Sequence, residues 1–138
     1  MNLTSLVTNN VTEVLVKIFE FTKARQKVLA YNITNLYTPG YTPKDLAVDE
    51  FSLLMSYAIS EHIENQRLIF YDTDNIRFGA NGDFEIEPTP DIAAKKLLEQ
   101  DRNKYLDSQT KKLRDNAFNQ KLTAELLVQN NEIISIFK

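Results

Sequence analysis

The sequence predicts a mainly α chain: long N- and C-terminal helices packed as a coiled-coil-like hairpin, with a small irregular, β-containing middle region. Three observations predict it. Apolar residues recur at three- and four-residue spacing over 11–37 and again over about 104–137. Only three Gly and four Pro occur, and neither appears after Pro90, so few turns interrupt the chain. Between the two periodic stretches the period shortens and turn-forming residues cluster.

Residues 1–10 are polar and are expected to be loose or helical only when docked. Asn10 or Thr12 is the expected cap of the first helix, with Glu13 favouring its positive end. Val14, Ile18, Phe21 and Val28 form one apolar stripe; Leu15, Phe19, Leu29, Ile33 and Leu36 form another. Together they are wider than a two-helix seam requires, and Arg25 and Asn32 interrupt them.

The helix ends in Tyr31-Asn32-Ile33-Thr34-Asn35-Leu36-Tyr37-Thr38-Pro39-Gly40-Tyr41. Asn32 and Asn35 lie on adjacent turns of one face. Pro39 disfavours helix at Thr38, and Pro39-Gly40 suits the centre of a type II turn. Thr42-Pro43 keeps the exit extended.

Residues 44–67 read as a shorter second helix with an irregular start, carrying Phe51, Leu54, Met55, Ala58, Ile59 and Ile63. Leu68–Tyr71 and Asp83–Ile86 are β-prone runs around the turn signal Gly79-Ala80-Asn81-Gly82, which predicts a small hairpin. Thr89 is the expected N-cap of a third helix with Pro90 at its first position, and Ile92, Leu97 and Leu98 supply its apolar side. The pattern lapses at Asp101-Arg102-Asn103.

From Tyr105 a last helix carries the seam Leu106, Thr110, Leu113, Ala117, Gln120, Ala124, Leu127, Asn131 and Ile134. Phe118, Leu122, Leu126, Ile133 and Phe137 run beside it. About 30 residues of helix span about 45 Å, more than a compact domain of this size can cover. Its apolar face therefore needs the N-terminal helix, other subunits, or both.

The totals fit one domain over residues 1–138: the first helix at 11–37, the middle at 38–103 and the last helix at 104–137. A net charge of −3 with scattered basic residues gives no reason to expect nucleic acid. The absence of Cys excludes disulfides and thiolate chemistry. No basic region precedes Lys17, and no run approaches the length needed to span a bilayer. Export, if it occurs, is expected without a cleaved signal.

Nothing converges on catalysis, and neither a cofactor nor a metal is expected. His62 is the only histidine and has Glu61 and Glu64 beside it, as on a solvated helix face. Asp72-Thr73-Asp74 with Asn81-Gly82-Asp83 suggests a calcium loop, but Ile76 and Arg77 occupy positions needing oxygen and Gly. Turn chemistry explains these residues better. Lys95-Lys96 and Lys111-Lys112 read as solvated faces. Asn32, Asn35, Gln120 and Asn131 are either tolerated polarity or amides that fix helix register.

Asn32, Ile33, Asn35, Thr38, Pro39, Gly40 and Tyr41 resemble the N-terminal signature of bacterial flagellar rod and hook proteins, roughly Asn-Ile-Ala-Asn-x-x-Thr-Pro-Gly-Tyr. Thr34 replaces the usual Ala. Asn103, Leu106, Asp107, Lys112, Leu113 and Asn116 are similar to the segment that opens the C-terminal helix of the proximal rod proteins, while Lys104, Tyr105 and Gln109 depart from it. Length and layout look most like the FlgB-like branch. The resemblance implies a structural subunit of the basal-body rod in its periplasmic part, delivered by type III export. Its implied partners are other rod subunits, the export gate at the basal-body base, and copies of itself. Its implied contacts are the Asn32–Tyr41 segment and the helix faces of Val14, Ile18, Phe21, Val28, Leu106, Leu113, Ala117, Leu127 and Ile134. The residues alone also suit a helical-hairpin adaptor or export chaperone holding one amphipathic segment.

Overall fold

The computed structural model describes residues 3–79 and 84–136, with side chains over 9–79 and 84–131. In chain order the elements are α1 (Leu3–Thr34), β1 (Lys44–Asp45), α2 (Val48–Asn65), β2 (Ile76–Arg77), β3 (Glu85–Ile86), β4 (Thr89–Pro90), α3 (Ile92–Gln100) and α4 (Arg102–Ile136). The long helices α1 and α4 pack side by side. Their paired residues run in opposite senses: Thr12 meets Asn130, Thr22 meets Asn116, and Asn32 meets Gln109. The chain is thus a mainly α antiparallel hairpin with two small antiparallel sheets in its middle.

α1 starts well before the expected cap. Asn10 lies inside it, and its amide contacts His62 Nδ1 at 3.0 Å, so that side chain joins two helices and caps neither. Thr12, the other expected cap, faces Asn130. α1 stops at Thr34, and Asn35–Tyr37 form turns, so the helix yields to the exit earlier than the apolar pattern suggests.

The apolar core lies on the α2 side of α1. Phe21 and Phe51 stack with ring centroids 4.0 Å apart and planes 8° from parallel. Val14, Leu46, Leu54, Met55, Ala58, Ile76 and Phe78 complete this core, and Ile18 and Val28 pack against it. Stacked Phe70, Phe78 and Phe84 close its lower edge. The wide apolar face of α1 thereby serves α2 and the middle region as well as α4. At the far end of α2, Gln66 takes the left-handed conformation (φ 54°) and its N–H returns to the His62 carbonyl.

The hairpin expected in the middle forms with shifted strands. Ile76 pairs with Ile86 and Arg77 with Glu85. Leu68–Tyr71 are not a strand: their backbone is irregular, with Leu68 and Phe70 packed against the core and Tyr71 exposed. The turn at 80–83 lies outside the described residues. A second pairing, Lys44 with Pro90 and Asp45 with Thr89, was not legible in so short a run. It places Pro90 in a strand and moves the N-cap of α3 to Asp91, whose carboxylate accepts from the Ala94 N–H at 3.0 Å. Asp72 and Thr73 perform turn chemistry: they accept from the Phe78 and Ile76 N–H groups.

Candidate assembly site

The exit from α1 is built around Asn32, which is wholly buried. Its Nδ2 donates to the Lys44 carbonyl at 2.7 Å and to Gln109 Oε1 at 2.9 Å. Its Oδ1 accepts from the Tyr41 hydroxyl at 2.7 Å and the Lys44 N–H at 3.1 Å. The amide thus pairs with both backbone groups of Lys44, as a neighbouring strand would, and ties helix, turn, β1 and α4 together. Every polar group on it is used, which is what a buried amide needs. Tyr105, also wholly buried, donates to the Asn32 carbonyl from α4.

The turn is self-contained beside this knot. Asn35 Nδ2 donates to the Tyr31 carbonyl, and Thr38 Oγ1 donates to Asn35 Oδ1. The Tyr41 N–H returns to the Thr38 carbonyl at 3.3 Å while Gly40 sits at φ 72°, the type II arrangement expected from Pro39-Gly40. A Cβ at Gly40 would meet nothing within 4 Å, so the requirement is conformational. Gly40→Val is expected to destabilise by about 2 kcal/mol through left-handed strain. Denaturation midpoint and far-UV circular dichroism check this: the midpoint should fall while helicity holds. An unchanged midpoint would mean that the turn relaxes at no cost. Ile33 is half-buried beneath the turn, whereas Thr38, Pro39 and Gly40 are exposed.

Between α1 and α4 the seam is polar. Among the described side chains, Gln109, Asn116, Thr123 and Asn130, spaced by sevens, are the buried residues of α4 that follow Tyr105. Asn116 donates to the Thr22 carbonyl at 2.7 Å, and Asn130 contacts Thr12. Gln109 Nε2 is buried without a partner, which leaves one donor of this seam unsatisfied. The sequence places the seam one position away. Leu106, Leu113 and Leu127 flank it half-buried, Ala117 and Asn131 are exposed, and Gln120 is half-buried. Ile134 and Phe137 lie outside the described side chains. Phe118 and Val128 are exposed on the far side of α4, whereas Leu122 and Leu126, more than half covered, line a groove shared with Leu15 and Ile18 of α1 and with α2. Beyond Tyr105, α4 therefore meets α1 largely through polar side chains, while much of its apolar side is left partly or fully exposed. Amides do join the two helices, but they are Asn32, Gln109, Asn116 and Asn130 instead of Gln120 and Asn131.

Charges close the exit. Arg25 makes a two-pronged pair with Asp45, at 2.9 and 3.0 Å. Lys112 bridges Asp45 at 3.7 Å and Asp91 at 2.9 Å, linking α1, β1, α4 and the α3 cap. Lys112 is thus not a solvated-face lysine. Burial alone would raise the Asp91 pKa, but the Ala94 N–H and Lys112 outweigh it and hold the carboxyl below its ordinary value. Its stabilisation is present above that ordinary value and is lost as pH falls through the lowered one. Arg102 lies over the Tyr37 ring at 4.9 Å, a further tie between α4 and the turn.

Tyr105 titrates in the opposite sense. Burial, then Tyr41 and Asp91, push its hydroxyl up to about 12. A raised folded pKa gives stability that is complete below pH about 10 and is lost as pH rises toward about 12. Urea denaturation over that range should show a loss of about 2 kcal/mol attributable to this group, absent in Tyr105→Phe. An identical pH profile in the two proteins would exclude Tyr105 as its source.

Among the described residues no cluster of His, Asp or Glu could hold a metal, and no helix is long and apolar enough to cross a membrane. Sequence reasoning passed over Asp45 and noted Lys112, Asn116, Tyr105 and Gln109 as matches to or departures from the resemblance, not as the residues that join α1 and α4. The heptad spacing of the polar residues was a usable signal for the seam. The ion network had none, because its members are distant in sequence. Compared with protein-family models, curated proteins and solved structures, the chain matches none.

Proposed function

We propose that this chain is a non-catalytic structural subunit of the bacterial flagellar basal-body rod, of the proximal, FlgB-like kind, exported without a cleaved signal. The observation that carries the reading is the α1 exit. Asn32, Asn35, Thr38, Gly40 and Tyr41, which resemble the rod signature, are the residues whose bonds and backbone build that exit. Two long helices and an outward apolar stripe on α4 support an assembling role, since a solitary domain gains nothing from such a stripe. The chain's partners would be other rod subunits and the basal-body base.

The test is genetic and structural. In the bacterium that encodes this chain, its deletion should stop rod construction and swimming, and a tagged copy should co-purify with rod-bearing basal bodies. Complete rods in the deletion strain would refute the reading.

An adaptor role is favoured by one feature. α1, α2 and α4 leave a groove of about 330 Å³ lined by Leu15, Ile18, Phe51, Met55, Leu122 and Leu126. Such a groove suits a single amphipathic helix. A stable complex with one foreign segment, in place of homotypic assembly, would mark this alternative.

A further inference from the structure

We propose that the outward face of α2 on one copy of this chain docks on the outward face of α4 on the next, in a head-to-tail contact. The α2 face presents Leu53, Tyr57 and Ile63, which are 61%, 56% and 67% exposed. Tyr57 is steadied by an edge-on contact with Tyr71, ring centroids 5.9 Å apart. The α4 face presents Phe118 and Val128, with Leu122 at its edge toward the α1–α2 groove. Leu53 to Ile63 and Phe118 to Val128 cover the same number of residues, each about 15 Å of helix. Leu53 and Tyr57 are exposed on α2 away from its buried Phe51, Leu54, Met55 and Ala58, and Phe118 and Val128 are exposed on α4 away from its buried Asn116 and Thr123.

Charge selects the pairing. α2 carries Asp49, Glu50, Glu61 and Glu64 and no Lys or Arg. The stretch of α4 from Thr110 to Val128 carries Lys111, Lys112, Arg114 and Lys121 against Asp115 and Glu125. Glu61 is occupied by Arg67 at 2.8 Å, and Lys111 by Asp115 at 3.2 Å. Among the described residues, Glu64 and Lys121 form no ion pair within the molecule. Asp49, Arg114 and Glu125 are unpaired as well, but Glu64 lies beside Leu53 and Tyr57 and Lys121 beside Val128, so these two border the apolar patches. Pairing α2 with α2 would oppose like charges, which costs affinity. An α2-to-α4 contact uses two different patches, so each copy keeps one patch free and the contact propagates as a ring or an open helix. Apolar burial supplies the affinity, while the exposed ion pair sets orientation and encounter rate.

This contact gives the proposed assembly role its homotypic partner and rests on that role only for its biological setting. The purified full-length protein tests it by sedimentation velocity across a concentration series, with circular dichroism to verify the fold. Wild type should associate, more strongly at low salt. Glu64→Lys and Lys121→Glu should each weaken association about tenfold or more when alone. An equimolar mixture of the two variants should recover it, because each variant's altered face complements the other's. A mixture as weak as its components would overturn the contact, as would wild-type association by Glu64→Lys alone. Glu64→Lys without effect but Lys121→Glu with one would indicate α4-to-α4 pairing instead, and wild type that stays monomeric throughout would also refute the proposal. Loss of swimming with association intact, or the reverse, separates failure of the rod reading from failure of this contact.

Discussion

Asn32→Ala is expected to lower the unfolding free energy by about 4 kcal/mol, near the upper end for one side chain. The alanine removes both hydrogen bonds to Lys44 and those to Tyr41 and Gln109. Tyr41 can turn toward water, but the Lys44 backbone and the Gln109 carbonyl are left within packed surroundings. Gln109 would then be stranded entirely, since its Nε2 already lacks a partner. Urea denaturation of both proteins measures the loss. Asn35→Ala is the control: its amide bonds are at the surface, and the same measurement should show less than about 1 kcal/mol. Equal losses for the two would show that burial of Asn32 carries no special weight.

Phe51→Ala should cost a similar amount, about 4 kcal/mol, for a different reason. The side chain is buried, stacks on Phe21 at 4.0 Å and leans on Phe84 at 6.2 Å, so its loss opens a cavity where α2, α1 and the middle region meet. The effect should be regional. Hydrogen exchange should accelerate along α2 and at Ile76–Phe78, while amides near the Asn116 and Asn32 ties of α1 and α4 keep their protection. Uniform acceleration over the whole chain would show that the two packing regions unfold as one.

Legibility in the sequence followed the range of the interactions. The type II turn was readable because Pro39 and Gly40 dictate it locally. The break at Asp101 was readable because the apolar pattern lapses there. The bounds of α1 were not, since Asn10 and Thr12 look like caps until α2 and α4 bring them partners. The seam was misplaced for a physical reason. Hydrophobic periodicity marks the side of a helix that seeks burial, and on α4 that side, Phe118, Leu122 and Leu126, lies beside the α1 contact and is left 66%, 45% and 40% exposed. The assumption that the greasy face meets the intramolecular neighbour failed where the neighbour is joined through amides. Asn32 was singled out as register-setting or incidental; its double pairing with Lys44 was invisible because it depends on where the chain returns after the turn.

The amide-lined junction of α1 and α4 also has a calorimetric meaning. Opening an interface rich in Gln109, Asn116, Thr123 and Asn130 wets mostly polar surface, and polar hydration lowers heat capacity while apolar hydration raises it. Prising the two long helices apart should thus absorb heat with little heat-capacity increment, whereas melting the Phe21–Phe51 region should carry most of it.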